Sequence, residues 1–177
     1  ADRGSIPPRL VTSYKDYQRW FGDGFNATKF LPYAANGFFE NGGKRVFVCR
    51  IVGNNAPTAQ ATFGSFIVRA AGPGSWGSRV KVKISDSRTK KPDGSSVGFH
   101  MQLAYWEANP DPVPDYDPFV DRITTPRPSL IEDFDDLVTD ETSPDYYGKR
   151  VPFIDLDKGE MNQGPESSAL GILVRPP

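Results

Sequence analysis

The sequence is poor in the side chains that most catalytic and redox sites require. Its 177 residues include one histidine, His100, and one cysteine, Cys49. A Ser-His-Asp or Cys-His arrangement therefore has to use His100, and no disulfide can form within the chain. No apolar run approaches the roughly 20 residues that span a bilayer. The formal net charge is only −1, so charge gives no reason to expect nucleic acid or an anionic membrane as a partner.

The residues that could carry chemistry are better explained as structural ones. His100 lies in the apolar segment Phe99–Trp106, which predicts a strand, and we expect it to be partly exposed and structural. Cys49 lies in another apolar segment and is expected to be a small buried thiol. Residues 155–159, DLDKG, match a fragment of a calcium-binding loop, but the third oxygen ligand is missing. We therefore expect no catalytic residue, no cofactor and no metal.

The first third of the chain predicts two helices and a strand. Ser13 is a typical N-cap, and Gly22 ends the helix that follows it. A second helix with a broad apolar face is expected from about Lys29 to Asn41. It leads through Gly42-Gly43 into the segment Val46–Ile51, which is apolar at both alternating sets of positions. We expect a strand there with both faces covered. The aromatic stripe of the first helix comprises Tyr14, Tyr17, Trp20 and Phe21, and the apolar face of the second comprises Leu31, Ala34, Ala35, Phe38 and Phe39.

The rest of the chain predicts short strands joined by turns. We expect a strand at Ser65–Arg69 and a β-hairpin over Arg79–Trp106, whose lysine-bearing face is expected to be wet. Six prolines exclude regular structure from most of residues 109–128. Ser129 and the acidic residues after it predict a short turn or helix over Leu130–Val138. The remaining apolar pieces, expected to be short strands or coil, are Val151–Leu156 and Leu170–Val174.

These elements predict a mixed α+β fold in two parts. Residues 1–60 are expected to form an α/β part in which helices layer on a sheet. Residues 61–177 are expected to form a β-rich subdomain with variable surface loops. Within it, the Pro-rich stretch 109–128 is expected to be a loop or an extended arm. Glycine and proline, at 17 residues each, agree with many turns.

Several short motifs occur in an order that is typical of one protein family. The chain has Asp2-Arg3-Gly4 near its start, Gly37-Phe-Phe-Glu-Asn-Gly-Gly43 at the end of the second predicted helix, a strand running to Arg50, and Pro73-Gly-Ser-Trp-Gly77. In this order the motifs resemble contractile tail sheath proteins. These are the subunits of the contracting sleeve in contractile-tailed bacteriophages, R-type pyocins and related injection machines.

The resemblance has departures. The family's TS-xx-EF-xx-FG segment corresponds to Thr12–Gly22, with Tyr17 in place of phenylalanine. Asp2 and Ser5 stand where the family usually has alanine and proline, and Ser78 stands where it has asparagine. The convincing matches cover roughly the first half of the chain, and the second half matches only loosely.

The resemblance implies a mechanical function without enzymatic activity or a cofactor. The subunit would form a helical sleeve around a tail tube, and contraction of the sleeve would drive the tube through the target cell envelope. The implied partners are other copies of the chain, the tail tube protein and the baseplate, with no nucleic acid and no membrane insertion. The implied location is the virion, in the phage tail, after assembly in the bacterial cytoplasm. Family members also carry an N-terminal arm and a C-terminal domain, so we expect this chain to be a fragment.

The motif residues are expected to have structural roles. Phe38, Phe39 and Trp76 are expected in the core or at the junction of the two parts, and the glycines are expected to meet backbone requirements. The structural motif residues are Phe38, Phe39, Glu40, Asn41, Gly42, Gly43, Pro73, Gly74, Trp76 and Gly77.

Two alternatives remain open at this point. Aromatic residues beside carboxylates would suit a carbohydrate-binding or glycan-hydrolysing module. Another phage tail or baseplate structural protein is also possible, and a helix layered on a mixed sheet around Val46–Ile51 would argue against it. The aromatic residues in question are Tyr105, Trp106, Tyr116, Tyr146 and Tyr147.

Overall fold

The computed structural model describes residues 3–4, 7–22, 24, 28–107, 113–121, 123–162, 164 and 167–176. Within these residues the chain forms three α-helices and ten β-strands, and the strands make up three sheets. The chain is therefore a mixed α+β protein rich in β-structure, and the predicted fold class is confirmed.

The N-terminal elements are two helices packed on a two-stranded ribbon. They are β1 (Arg9–Val11), α1 (Tyr14–Phe21), α2 (Leu31–Glu40) and β2 (Val46–Val48). The predicted cap of α1 is confirmed, because the Ser13 hydroxyl accepts a hydrogen bond from the Asp16 N–H at 3.1 Å. Gly22 ends the helix with a φ of 78°, a conformation that glycine adopts without steric cost. Local capping signals therefore set both ends of α1.

The strand expected at Val46–Ile51 is shorter and more exposed than predicted. β2 pairs antiparallel with β1, and Leu10 is opposite Phe47. Val48 faces the helices and is buried, but Phe47 is 70% exposed and Ile51 is 93% exposed. Cys49 is exposed too, so the prediction of a buried thiol was wrong. The reason is that a two-stranded ribbon has helices on one face only, and the other face lies at the surface.

The larger sheet contains five strands, which are β3 (Gln60–Phe63), β4 (Phe66–Ala70), β8 (Phe153–Asp155), β9 (Glu160–Asn162) and β10 (Gly171–Arg175). Their order in the sheet is β3-β4-β10-β8-β9. Its one parallel pair is β8 with β10, and its other pairs are antiparallel. The predicted strands at Ser65–Arg69, Val151–Leu156 and Leu170–Val174 correspond to β4, β8 and β10. The short helix α3 (Tyr147–Arg150) precedes β8.

The third sheet contains the predicted hairpin and one strand that was not predicted. β5 (Val80–Asp86) and β6 (Phe99–Tyr105) pair antiparallel over their whole length. β7 (Leu130–Leu137) pairs with β6, so the turn or helix expected at Leu130–Val138 was wrong. Ser129 does not cap a helix, because its hydroxyl accepts a hydrogen bond from the Glu107 N–H at 2.9 Å. Pairing with β6 outweighs the local helix signals.

Two clusters of buried apolar side chains hold these elements together. The larger cluster contains residues of both the five-stranded and the three-stranded sheet, among them Val68, Leu103 and Leu173. The smaller one joins the helices to the inner face of the ribbon and includes Val11 and Ala169. Ala169 immediately precedes the last strand region, so the N-terminal elements pack against the C-terminal end of the chain. The boundary between residues 60 and 61 stays a prediction.

The Pro-rich stretch packs against the lysine-bearing face of the hairpin. Lys81 Nζ lies 2.8 Å from the Tyr116 carbonyl oxygen and 3.3 Å from those of Pro114 and Asp115. Lys83 forms an ion pair with Asp117 at 2.5 Å. No strand or helix occurs in residues 113–121 and 123–128, in agreement with the proline content. The face predicted to be wet is instead partly covered by this loop.

Candidate functional site

The motif Pro73–Gly77 forms a tight turn that leads into a 3₁₀ helix, Ser75–Arg79. Trp76 is buried, and its indole N–H donates to the Pro73 carbonyl at 3.1 Å. The ring meets Tyr105 edge-on, with 6.0 Å between centroids. Gly74 has a φ of 119°, a backbone conformation that residues with a Cβ rarely adopt. The prediction of a core position for Trp76 is confirmed.

Arg50 joins this turn to the start of the chain. Its guanidinium donates to the Pro73 carbonyl at 2.6 Å and to the Gly4 carbonyl at 3.3 Å. Such charge-assisted bonds to carbonyl oxygens are stronger than those between neutral groups. Three segments that carry the family resemblance therefore meet at one place, which we call the motif junction (Gly4, Arg50, Pro73 and Trp76).

Arg3, the neighbour of Gly4, ties the same region to helix α1. It is buried, and its guanidinium donates to the Gln18 carbonyl at 2.8 Å and to the Arg19 carbonyl at 2.5 Å. Both carbonyls belong to the last turn of α1, where a cation is also favoured by the helix dipole. The same guanidinium lies 4.9 Å from the centre of the Tyr105 ring. Arg3 thus connects the N-terminal elements to the three-stranded sheet.

The motif Phe38–Gly43 lies away from the motif junction, at the end of α2. The N–H groups of Gly42 and Gly43 donate to the carbonyls of Phe39 and Phe38 at 3.1 and 2.9 Å, which closes the helix. Gly42 has a φ of 87°, and a Cβ on Gly43 would overlap the Phe38 ring. Both glycines therefore meet backbone requirements, as predicted.

The polar motif residues of this helix end make local bonds. Asn41 donates through its amide to the Gly37 carbonyl at 2.7 Å. Glu40 accepts from the Asn36 amide at 2.9 Å. These contacts stabilise the last turn of α2 and leave no group arranged for chemistry. Glu40 and Asn41 are exposed.

Phe38 and Phe39 differ in their surroundings. Phe39 is half-buried and packs against the smaller cluster. Phe38 meets Phe39 edge-on at 5.2 Å but is 40% exposed. The prediction of a core or junction position was therefore wrong for Phe38. The reason is the helical period: Ala35 and Phe39 face the core, whereas Phe38 is one position away on a different side of the helix.

Two apolar faces of the N-terminal elements lie at the surface. The first, which we call the helix face, consists of Leu31, Ala34 and Phe38 on α2, which share one side at spacings of three and four residues and are all exposed. The second, the ribbon face, consists of the cross-strand pair Leu10 and Phe47, which are 40% and 70% exposed. Neither face was predicted, because sequence periodicity identifies an apolar stripe without showing what covers it.

The ribbon face borders a groove in the described part of the chain. The groove has a volume of about 620 Å³ and lies between β1 and the outer face of the five-stranded sheet. Its lining includes Pro8, Leu10, Ile154 and Ile172. The arrangement offers burial of apolar surface, the property on which protein association depends.

Several charged side chains form structural networks. Arg175 binds Glu141 at 2.7 Å, Asp155 at 3.2 Å and the Tyr146 hydroxyl at 2.6 Å. Hydrogen bonds to Tyr147 and Glu141 raise the pKa of Arg175, and burial raises the pKa of Tyr146. Both groups therefore keep their ordinary charge states at neutral pH. The network joins β10, β8 and the segment before α3.

The residues considered for chemistry are engaged in similar contacts. His100 is buried rather than partly exposed, and its Nε2 lies 2.7 Å from Asp133. Asp155 accepts the backbone N–H groups of Asp157 and Lys158. Within the part of the chain that the structure describes, no cluster of three or more His, Cys, Asp or Glu side chains could hold a metal ion.

The aromatic residues that suggested a carbohydrate module lie mostly in the core. Tyr105, Trp106, Tyr146 and Tyr147 are all buried, so none of them forms an exposed platform for a sugar ring. Tyr116 is half-exposed and lines a pocket beneath the Pro-rich loop.

Sequence reasoning missed the two apolar faces and the roles of Arg3 and Arg50. The partners of Arg50 lie 46 and 23 residues away in the chain, so no local signal could have identified them. Among the described helices, none is long and apolar enough to cross a membrane. Comparison with models of known protein families finds no match, and comparison with curated proteins finds no significant match.

Proposed function

We propose that this chain is a structural subunit of a contractile tail sheath, the helical sleeve that contracts around a tail tube. The observation that carries the proposal is the exposure of two separate apolar faces, the helix face and the ribbon face. Contiguous exposed apolar surface typically marks an interaction site. A subunit with more than one such face can contact more than one neighbour, as a helical array requires.

The motif junction supports the same function. A contracting sleeve needs subunits that move as rigid bodies while the contacts between them change. Arg50 bonds to Gly4 and Pro73, and Arg3 bonds to the end of α1. These contacts fix the N-terminal elements to the β-rich part. Three of the segments that carry the family resemblance meet there.

The proposal includes partners and a location. The partners are other copies of the chain, the tail tube protein and the baseplate. The location is the virion, in the tail, after assembly in the bacterial cytoplasm. The function needs no catalytic group, cofactor, nucleic acid or membrane insertion, because contraction depends on protein contacts alone.

Another phage tail or baseplate component is the second candidate. A helix layered on a mixed sheet around Val46–Ile51 would argue against it. The ribbon there is antiparallel and two-stranded instead. The fold therefore does not distinguish the two candidates. An assembly experiment has to distinguish them.

The test is negative-stain electron microscopy of the full-length protein, expressed alone. We expect striated tubes with a wide lumen, which a sheath subunit forms and a baseplate component does not. Dispersed particles at high protein concentration would contradict the proposal.

Two variants test whether tube formation depends on the apolar faces. Phe47→Ser and Phe38→Ser each place a polar group on one face, and we expect both to reduce tube formation. Thr62→Ala, in the exposed strand β3, is the control and should assemble normally. Unchanged assembly of both phenylalanine variants would remove the support that these faces give.

A further inference from the structure

The Pro-rich loop and the outer face of β6 and β7 enclose a pocket of about 360 Å³. This volume is at the small end of the range of about 300–1,000 Å³ that is typical of small-molecule sites. The lining combines the apolar side chains of Phe119, Pro128 and Ile131 with several polar groups. The pocket is separate from the helix face and the ribbon face.

The loop is held in place by contacts that are independent of any ligand. The carbonyl of Pro126 accepts two hydrogen bonds, from the Trp106 indole at 2.7 Å and from the Tyr116 hydroxyl at 2.6 Å. The Trp106 and Tyr116 rings meet edge-on at 6.3 Å. Lys81 and Lys83 fix the preceding residues, as described above. One wall of the pocket is therefore preformed, which reduces the entropy cost of binding.

The polar groups of the pocket are mainly hydrogen-bond acceptors with capacity to spare. One oxygen of Asp133 accepts from His100 and Arg88, whereas the other accepts, among the residues that the structure describes, only from the Gln102 amide at 3.0 Å. Asp121 is similar: one oxygen accepts two backbone N–H groups, and the other accepts the Thr124 hydroxyl as its one donor in the described part of the chain. A carboxylate oxygen has two lone pairs, so each residue can accept one more hydrogen bond.

Arg127 supplies the opposite chemistry at the rim. It is exposed, and it makes no hydrogen bond or ion pair with the residues that the structure describes. Its guanidinium has five N–H donors in a planar arrangement. The pocket thus offers two carboxylate acceptors, one free cationic donor and an apolar floor.

We infer that this pocket binds a neutral saccharide, in particular one with an N-acetyl group. The carboxylates of Asp121 and Asp133 disfavour an anion, and Arg127 at the rim offsets one of their two charges. Sugar hydroxyls can donate to Asp121 and Asp133, while sugar oxygens accept from Arg127. The apolar C–H surface of the ring can pack on Tyr116 and Phe119, since aromatic faces combine apolar area with a polar edge.

The apolar floor of the pocket is the reason why we expect a preference for an N-acetyl group. Ile131 is 47% exposed and lines the pocket, so it presents apolar surface to a bound group. A methyl group placed there removes apolar surface from water on both sides. This inference does not rest on the sheath proposal, because it concerns a different surface and can be tested on dispersed protein.

The test is an NMR titration of the ¹⁵N-labelled chain with N-acetylglucosamine and its β1,4-linked disaccharide. We expect saturable shifts of the Gln102 side-chain amide and of backbone amides in residues 119–131. Arg127→Ala should weaken binding roughly tenfold, because it removes a charged hydrogen bond to the sugar. The matched control is Arg45→Ala, which removes another exposed arginine without a described partner and should leave affinity unchanged.

Three outcomes would overturn the inference. They are the absence of saturable shifts with either sugar, equal affinity of the Arg127→Ala variant, and saturable shifts confined to residues outside the pocket. Glucose serves as a second probe and should bind more weakly than N-acetylglucosamine. Equal or tighter binding of glucose would overturn the role of the N-acetyl group. The same spectra show whether each variant is folded.

Discussion

The guanidinium of Arg50 lies 2.6 Å from the carbonyl oxygen of Pro73, although the two residues are 23 positions apart in the chain. Arg50 follows β2 of the ribbon, and Pro73 follows β4 of the five-stranded sheet. The same nitrogen also donates to the Gly4 carbonyl. One side chain therefore joins the start of the chain, the end of the ribbon and the turn before the 3₁₀ helix.

Arg50→Met should lower the free energy of unfolding by about 2 kcal/mol, because it removes hydrogen bonds between a cation and two carbonyls. Urea denaturation followed by tryptophan fluorescence measures the change. Arg45→Met is the control, and its effect should stay within about 0.5 kcal/mol, as for most surface substitutions. Equal effects of the two substitutions would contradict the role assigned to Arg50.

The buried carboxylate of Glu132 holds the segment that precedes β10 in place. It accepts hydrogen bonds from the Ser168 hydroxyl at 2.5 Å and from the N–H groups of Ala169 and Leu170 at 2.8 and 3.2 Å. Glu132→Ala leaves the Ser168 hydroxyl and the Ala169 N–H buried without their acceptor, while Leu170 keeps its bond to Ser168. We expect a cost of about 3–5 kcal/mol. Chemical denaturation tests this, with exposed Glu160→Ala as the control. A cost below 1 kcal/mol would mean that other groups or water replace the carboxylate.

Gly77 is predicted to tolerate no side chain. A Cβ there would lie 2.7 Å from the Ala59 Cβ and 3.2 Å from the Ala70 Cβ. Gly77→Ala should therefore destabilise the chain by about 1–3 kcal/mol. Gly53→Ala is the control, since a Cβ at Gly53 meets nothing within 4 Å. Adding Ala59→Gly to the Gly77→Ala variant should restore part of the loss, and a purely additive double variant would argue against this clash.

The same substitution at adjacent residues of β2 should cost very different amounts of stability. Phe47 is mostly exposed and Val48 is buried. Phe47→Ser should change the stability of the isolated chain by less than about 0.5 kcal/mol, whereas Val48→Ser should cost about 2–4 kcal/mol. Thermal or urea unfolding distinguishes them. A large cost at Phe47 in the dispersed chain would show that its ring is covered within one subunit.

The ion pair of Lys83 and Asp117 predicts a small acid sensitivity. The hydrogen bond from Lys83 lowers the pKa of Asp117 below its usual range. A lowered pKa means that the pair stabilises the fold above the ordinary pKa of an aspartate, about 3.9, and that this stability is lost as pH falls through the lower folded value. Both side chains are more than a third exposed, so the contribution is at most about 0.5 kcal/mol.

Carboxyl ¹³C NMR titration tests this ion pair. Lys83→Met should move the pKa of Asp117 upward, towards its ordinary value, and should leave the loop in place because Lys81 still binds the carbonyls before it. Lys44→Met, at an exposed lysine in the α2–β2 connection, should have no effect. An unchanged Asp117 pKa in the Lys83 variant would contradict the assignment.

The sequence predicted those parts of the fold that depend on neighbours along the chain. The cap of α1, the glycine ends of both helices and the β5–β6 hairpin are local, and all are present. β7 was missed because Ser129 and its acidic neighbours favour a helix start, while the deciding contact is pairing with β6. The exposure of Phe38 and Phe47 was missed because it depends on how many layers cover α2 and the ribbon, which periodicity does not specify.

The contact between Lys81 and the Pro-rich loop has a consequence for how that loop can evolve. Lys81 binds the main-chain carbonyls of Pro114, Asp115 and Tyr116, and every amino acid supplies the same carbonyl. Exchanges of side chains at positions 114 and 115 therefore leave the anchor intact. The exposed residues farther along, such as Val120 and Ile123, are free to diversify between relatives while the scaffold beneath them stays the same.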